Sequence, residues 1–336
     1  MPFLSEMPAI PCSRPLFAAV LSNTVISTVP GISGAGPSPE KTLLTPILDA
    51  ELVTHGAITS RPARPDTPTG CPTPASITRA ATELAGLVPI FVNAGLSEPP
   101  TVPCLDVYTA AGRDPRTMAA VPDAARLVES GRTIGRMLSS LSDLLVLGES
   151  VPGGTTTALC VLRALGHPAR VSSSFVTNPT DRKEAVARAV LDRLRPLGPL
   201  GPVEVLREAG DPMLPVAVGI SQTYAGTLLL AGGTQQLAVA AVLRALGQEP
   251  PAVVTTCYVR DDATANFAEI AAGIGVRTYY VDPGFDEIGH AGLARYCLGE
   301  VKEGMGAGGA LALAALLGHT PDAIRAHVLK TVRSYS

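Results

Sequence analysis

The chain contains no tryptophan, and aromatic residues make up only 4% of its 336 positions. Its core must therefore be built from alanine, leucine and valine, which favours closely packed small-residue helices over an aromatic interior. Charged residues are equally sparse at 16%, the net charge is −3, and lysine and arginine form no cluster. That excludes the basic footprint on which nucleic-acid binding depends. The six cysteines, Cys12, Cys71, Cys104, Cys160, Cys257 and Cys297, form no CxxC pair, and the five histidines form no HxxxH or HExxH pattern. The spacing offers no metal site, and reduced thiols in a cytoplasmic protein are expected. Apolar segments are interrupted by Gly, Thr or Gln before the roughly twenty residues needed to span a bilayer, so no membrane anchor is expected. The amino-terminal stretch lacks a basic region and is broken by Pro2, Pro8, Pro11 and Pro15, which argues against a signal peptide.

What the chain has in abundance is glycine and proline, 33 and 31 residues. Three glycine-rich turns each open an alanine-rich helix: LLVLGESVPGGTTTALCVLRALG (144–166), TLLLAGGTQQLAVAAVLRALG (227–247) and VKEGMGAGGALALAALLG (301–318). The first N–H groups of a helix lack intrahelical partners and carry partial positive charge, and glycine admits close approach of a ligand to the backbone. Such turns are natural seats for a phosphorylated small molecule. In the first two, a β-type run (Leu144 to Leu147; Leu228 to Ala231) leads directly into the turn. Strand, turn and helix in that order suggest a doubly wound sheet, whose ligands sit beyond the carboxyl ends of the strands.

Further strands are expected at Pro15 to Asn23, 88–95, Ala252 to Tyr258 and Val276 to Val281, with helices at Asp123 to Leu141, Arg182 to Leu194, Val203 to Ala209 and Ala263 to Ala272. This alternation predicts an α/β fold: a mostly parallel, Rossmann-like sheet with helices on both faces. The Pro/Gly-rich stretches VPGISGAGPSPEKTLLTP and RPARPDTPTGCPTP read as loops, either linkers or covers over a ligand. A core over 76–300 is expected to bind the phosphorylated ligand. Residues 1–75 and 301–336 are expected to form a smaller unit closing over the crevice, the third turn folding back as helices over the sheet edge.

Gly304, Gly306 and Gly309 match G-x-G-x-x-G, but no convincing strand precedes them and no later strand can supply a ribose-binding acid, so dinucleotide binding is not supported. The GGT turns also lack the lysine of a P-loop. Candidate ligand-holding groups are Gly153, Gly154, Thr155 and Thr156 in the first turn, Gly232, Gly233 and Thr234 in the second, Gly304 and Gly306 in the third, and Lys183 at a helix start. Glu149 and Glu303 each sit beside a glycine turn. Each acid reads either as a helix-capping group or as a catalytic carboxylate, and the threonines equally as N-caps. His167 and His290 read as ordinary surface or packing residues.

GESVPGGTTTA resembles the glycine-rich loop of nicotinate-nucleotide:dimethylbenzimidazole phosphoribosyltransferases, and KEGMGAGGALAL is similar to their carboxy-terminal Glu–Gly–x–Gly–Ala signature. DRKEAVARAVL and GPVEVLREAGDP resemble the segment between, including a lysine placed like Lys183. Over nearly the whole chain, from VPGISGAGPSPEKTLLTPILDAE to VKEGMGAGGALALAALLG, the sequence looks like the archaeal and cyanobacterial branch of that family. Gly154 and Val151 stand where the bacterial enzymes have Asn and Gly.

The resemblance implies transfer of the 5-phosphoribosyl group of nicotinate mononucleotide to a dimethylbenzimidazole-like aromatic base, releasing nicotinate and making the lower-ligand nucleotide of a cobamide. It also implies Glu303 as catalytic base, Glu149 as its assistant, a homodimer, and no cofactor or metal. The competing expectations are a non-enzymatic or regulatory nucleotide-binding protein of the same fold and a dinucleotide-dependent oxidoreductase.

Overall fold

The computed structural model describes every residue except 1, 7, 8, 11, 37 and 336, and the side chains of all of these but 39 and 40. Pro8 and Pro11 of the amino-terminal stretch, and Pro37 of the glycine-rich loop, lie outside the described residues.

Seven strands form one parallel sheet: β1 (Pro15–Leu21), β2 (Ile90–Asn93), β3 (Leu105–Asp106), β4 (Leu144–Ser150), β5 (Thr227–Ala231), β6 (Ala252–Thr256) and β7 (Thr278–Val281). Their order is β3-β2-β1-β4-β5-β6-β7. The chain winds outward from β1 to one edge, returns to β4 on the other side of β1, and winds to the opposite edge. The register Val20 with Glu149 and Leu21 with Ser150 aligns the carboxyl ends of β1 and β4. Connections leave these two strands in opposite directions, opening a crevice between them.

Helices of eight or more residues are α1 (Thr45–His55), α2 (Pro74–Leu84), α3 (Ala124–Leu141), α4 (Gly154–Ala164), α5 (Thr180–Leu194), α6 (Pro202–Ala209), α7 (Met213–Thr223), α8 (Thr234–Ala245), α9 (Phe267–Ile274), α10 (Ala307–Leu316) and α11 (Pro321–Arg333). Alternation along the strands assigns them to two layers. Ala18, Val20, Leu145, Leu147 and Leu230 point to a core shared with α3 through α9. Phe17, Ala19, Leu21, Val146 and Leu229 point to the opposite core, shared with α1, α2, α10 and α11. Both sheet faces are thus covered, as a buried parallel sheet requires.

The expected strands and helices are present with shifted ends, and three expectations need correction. Residues 1–75 do not lie apart from the sheet, because β1 is its third strand. Its run PLFAAVL is apolar on both faces, as a central strand must be. The stretch read as loop before Pro46 contains a short helix, Pro39–Thr42, and runs into α1. The third turn does not fold over an edge: α10 packs across the face of β4 to β7. A Cβ at Gly306 would lie 2.9 Å from the Cα of Gly148. Glycine in both positions lets the helix start touch the strand.

Candidate active site

Beyond the carboxyl ends of β1, β4 and β5 lies a cavity of about 690 Å3, bordered by all three glycine turns. Of the residues expected there, Glu149, Gly153, Gly154, Thr155, Gly233, Thr234, Glu303 and Gly304 line it. Gly153 takes a left-handed conformation, φ 76°, and a Cβ on it would lie 2.9 Å from the Cα of Ser27, so the turn passes tightly over the segment that follows β1. Among the described residues, no side chain caps α4 or α8 at the amino terminus. The N–H groups of Gly154, Thr156 and Gln236 turn back to the carbonyls of Val151, Gly153 and Gly233, and the helix dipoles favour an anion at both starts.

Thr156, Lys183, Gly232 and Gly306 do not line the cavity. Thr156 is fully buried and its hydroxyl has no partner among the described residues. Lys183, 2% exposed, turns its ammonium inward to Ser172 O at 2.5 Å and Thr155 Oγ1 at 2.9 Å. Burial and the neighbouring Lys302 charge push it down to about 7, against the pull of Asp262. Gly232 closes β5, where a Cβ would come 3.3 Å from Glu149 Oε1. Gly306 is committed to packing on Gly148.

Glu149 ends β4, buried, with Gln235 Nε2 donating to its Oε2 at 2.8 Å. Burial, then the charges of Glu303 and Asp211, push its pKa well up. Glu303 is half-buried at the cavity wall. Its carboxylate accepts from the N–H groups of Gly304 at 3.1 Å, Thr256 at 3.2 Å and Gly308 at 3.2 Å. Those bonds favour the ionised form, yet desolvation prevails and lifts the group to about 7. Burial thus holds Glu149 well above the usual carboxylate range and Glu303 at about 7, and the charge of Glu303 adds to the rise of Glu149.

The two acids differ in what they accept from. Glu149 takes the Gln235 amide and the backbone N–H of Val151, ahead of α4. Glu303 does bond to a helix N–H, that of Gly308 in α10, so its capping role is real, and it faces the cavity besides.

Sequence reading missed several residues of this wall. Lys302 lines it, buried, with its ammonium on Ser173 O at 2.8 Å and 3.3 Å from Asp262 Oδ2. Together Lys183 and Lys302 clamp the backbone of 172–175, with Asp262 balancing their charge. Val301 and Lys302 hold φ of 65° and 64°. A left-handed β-branched residue costs on the order of 1–3 kcal/mol, so the wall beside Glu303 is strained. Adjacency to Glu303 was the available signal for Lys302. Gln235 and Asp49 carried none. Among the described residues no group of three or more His, Cys, Asp or Glu side chains is arranged to hold a metal ion, and no helix is long and apolar enough to cross a membrane.

No family profile matches the chain. Full-length relatives do: it is 44% identical over 313 residues to a UPF0284 protein of Pyrococcus abyssi, covering 91% of this chain and 93% of that one. The chain belongs to the UPF0284 family. A UPF0284 protein of Methanosarcina acetivorans is 42% identical over 325 residues, covering 94% and 93% of the two chains. The fold is shared with a nicotinate-nucleotide–dimethylbenzimidazole phosphoribosyltransferase of Thermus thermophilus, with a TM-score of 0.64 at 19% identity over 97% of this chain and 84% of that one. A second structure, described as CobT from the same organism, gives 0.64 at 18%, covering 97% and 85%. The UPF0284 chain thus has the fold expected from its loop and carboxy-terminal motifs.

Proposed function

We propose that this UPF0284 protein is a pentosyltransferase that moves the 5-phosphoribosyl group of nicotinate mononucleotide to an aromatic nitrogen base, as in building the lower-ligand nucleotide of a cobamide. The observation that carries this reading is the meeting of an uncapped, glycine-lined helix start, Gly153 to Thr155, and the Glu303 carboxyl in one cavity. A phosphate on the first suits the amides of that turn and of Gly233 and Thr234.

With the phosphate so held, the ribose extends toward Glu303. The bond between C1′ and the pyridinium nitrogen breaks, its electron pair staying with nicotinate. A ring nitrogen of the base forms the new bond to C1′, and the proton lost from the base passes to Glu303. The ribosyl centre gains positive charge as the bonds exchange, and an anionic Glu303 stabilises it. Neutral Glu149, held by Gln235, donates a hydrogen bond and orients ligand without adding a second negative charge. A carboxylate poised near 7 suits a general base at neutral pH.

The test is direct. Protein incubated with nicotinate mononucleotide and a panel of bases should release nicotinate and form a new nucleotide, both read by mass spectrometry. No release with any base would sink the reading.

A further inference from the structure

Part of the cavity wall is formed by α1, the residue before it and the loop after it: Leu44, Thr45, Leu48, Ile58 and Pro65. Leu44, Leu48, Ile58 and Pro65 give this wall an apolar stretch suited to a flat ring. Of the charged residues that this part of the chain brings to the cavity, Lys41, Arg61 and Arg64 are exposed and Asp66 is half-buried, and Asp49 is the buried one. Asp49, 8% exposed, stands on the same helix face as Thr45 and Leu48 and borders the cavity.

Two hydroxyls hold that carboxylate. Ser150 Oγ donates to Oδ2 at 2.9 Å and Thr73 Oγ1 to Oδ1 at 3.1 Å. These contacts also locate it relative to the proposed chemistry. Ser150 follows Glu149 in β4, and Thr73 precedes Pro74, against whose Cγ a Cβ at Gly304 would lie at 3.2 Å, one residue from Glu303. Asp49 therefore sits between the chain neighbours of both glutamates. A carboxylate has about four acceptor positions; two are used here. Burial pushes the group up to about 6, against both hydroxyls. A buried anion with unused acceptors is costly unless something donates to it.

We infer that Asp49 selects the acceptor: this part of the cavity takes a heteroaromatic base carrying an exocyclic N–H donor, which Asp49 accepts, in preference to one substituted only by alkyl groups. This rests on the phosphoribosyl-transfer reading for the identity of the second substrate. The apolar neighbours favour a ring over a ribose as the group beside Asp49. A ribose hydroxyl remains the rival donor, and the test separates the two.

Adenine and purine differ only by one exocyclic amino group. Equilibrium dialysis of the protein against each base, without mononucleotide, is expected to show adenine held roughly tenfold or more tighter, the scale of one hydrogen bond to a charged group. In Asp49→Asn and Asp49→Ala that preference should fall to within about threefold, with KM for the mononucleotide unchanged. Equal binding of the two bases by the unaltered protein would overturn the inference without any variant. So would a preference that survives both substitutions, or a rise in KM for the mononucleotide with the base preference intact, which would assign Asp49 to the ribose. Preferential adenine binding without nicotinate release would leave the selection standing and remove the transfer reading instead.

Discussion

Gln235 Nε2 donates to Glu149 Oε2 at 2.8 Å and fills the space that a side chain at position 154 would need: a Cβ there would lie 2.1 Å from that same nitrogen. Glycine at 154 and glutamine at 235 are therefore one device. The bare backbone of the first turn admits an amide from the second, and the amide fixes a buried carboxyl between them.

Gly154→Ala should displace the Gln235 amide, lowering stability by about 1–3 kcal/mol, the usual cost of overpacking, and cutting turnover. Adding Gln235→Ala should restore stability but not activity. Denaturant melts and initial rates on the two single variants and the double variant form the cycle that reads this coupling. Additive stability effects would show that the two residues do not share the space.

Glu303→Gln keeps the shape but cannot take a proton; its one oxygen can still accept from Gly304 and Gly308 N–H, while its amide nitrogen cannot accept from Thr256 N–H. Turnover should fall roughly a hundredfold or more, the scale of losing a general base. Mononucleotide binding, measured by calorimetry, should persist. An unchanged rate would remove Glu303 from the chemistry.

The pH dependence follows from the same group. Glu303 is lifted from 4.5 to about 7, so its basic form accumulates only as pH rises through 7. Acceptor kcat/KM should climb up to tenfold per pH unit below 7 and level off above it. Stability of the unliganded protein runs the other way. Between about 4.5 and 7 the folded chain binds more protons than the unfolded one, so stability falls as pH rises. Asp49 and Asp211, both raised to about 6, add to that slope. Thermal melts across this window should show the decline, and Glu303→Gln should flatten it.

Lys183 acts through Thr155 and the 172–175 backbone. Lys183→Met should raise KM for the mononucleotide by about tenfold while leaving KM for the base near its original value. Equal effects on both would make the lysine a packing residue only.

Nicotinate mononucleotide should raise the melting temperature in proportion to the logarithm of its excess over Kd. A flat response across ligand concentration would place the phosphate elsewhere.

Local chemistry was enough to read much of this molecule. Apolar runs ending in glycine turns marked β4 and β5 as parallel strands, because only a strand buried on both faces is apolar throughout. Glycine beside threonine marked two turns that border the cavity. Other elements left no local trace. β3 is two residues long, α7 is buried on nearly every side and so shows no amphipathic period, and the prolines around α1 read as loop.

The sequence by itself determined the doubly wound class, the glycine turns at the helix starts and the two candidate acids, since each depends on neighbours a few residues away. Only the tertiary structure decided that Glu303, far away in the chain, would come close enough for its charge to hold back the ionisation of Glu149. It also decided that Lys183 would turn inward, and that Gln235 and Asp49 would join the wall. The physical reason is that desolvation and charge coupling depend on distance in space, and the winding of the sheet sets that distance.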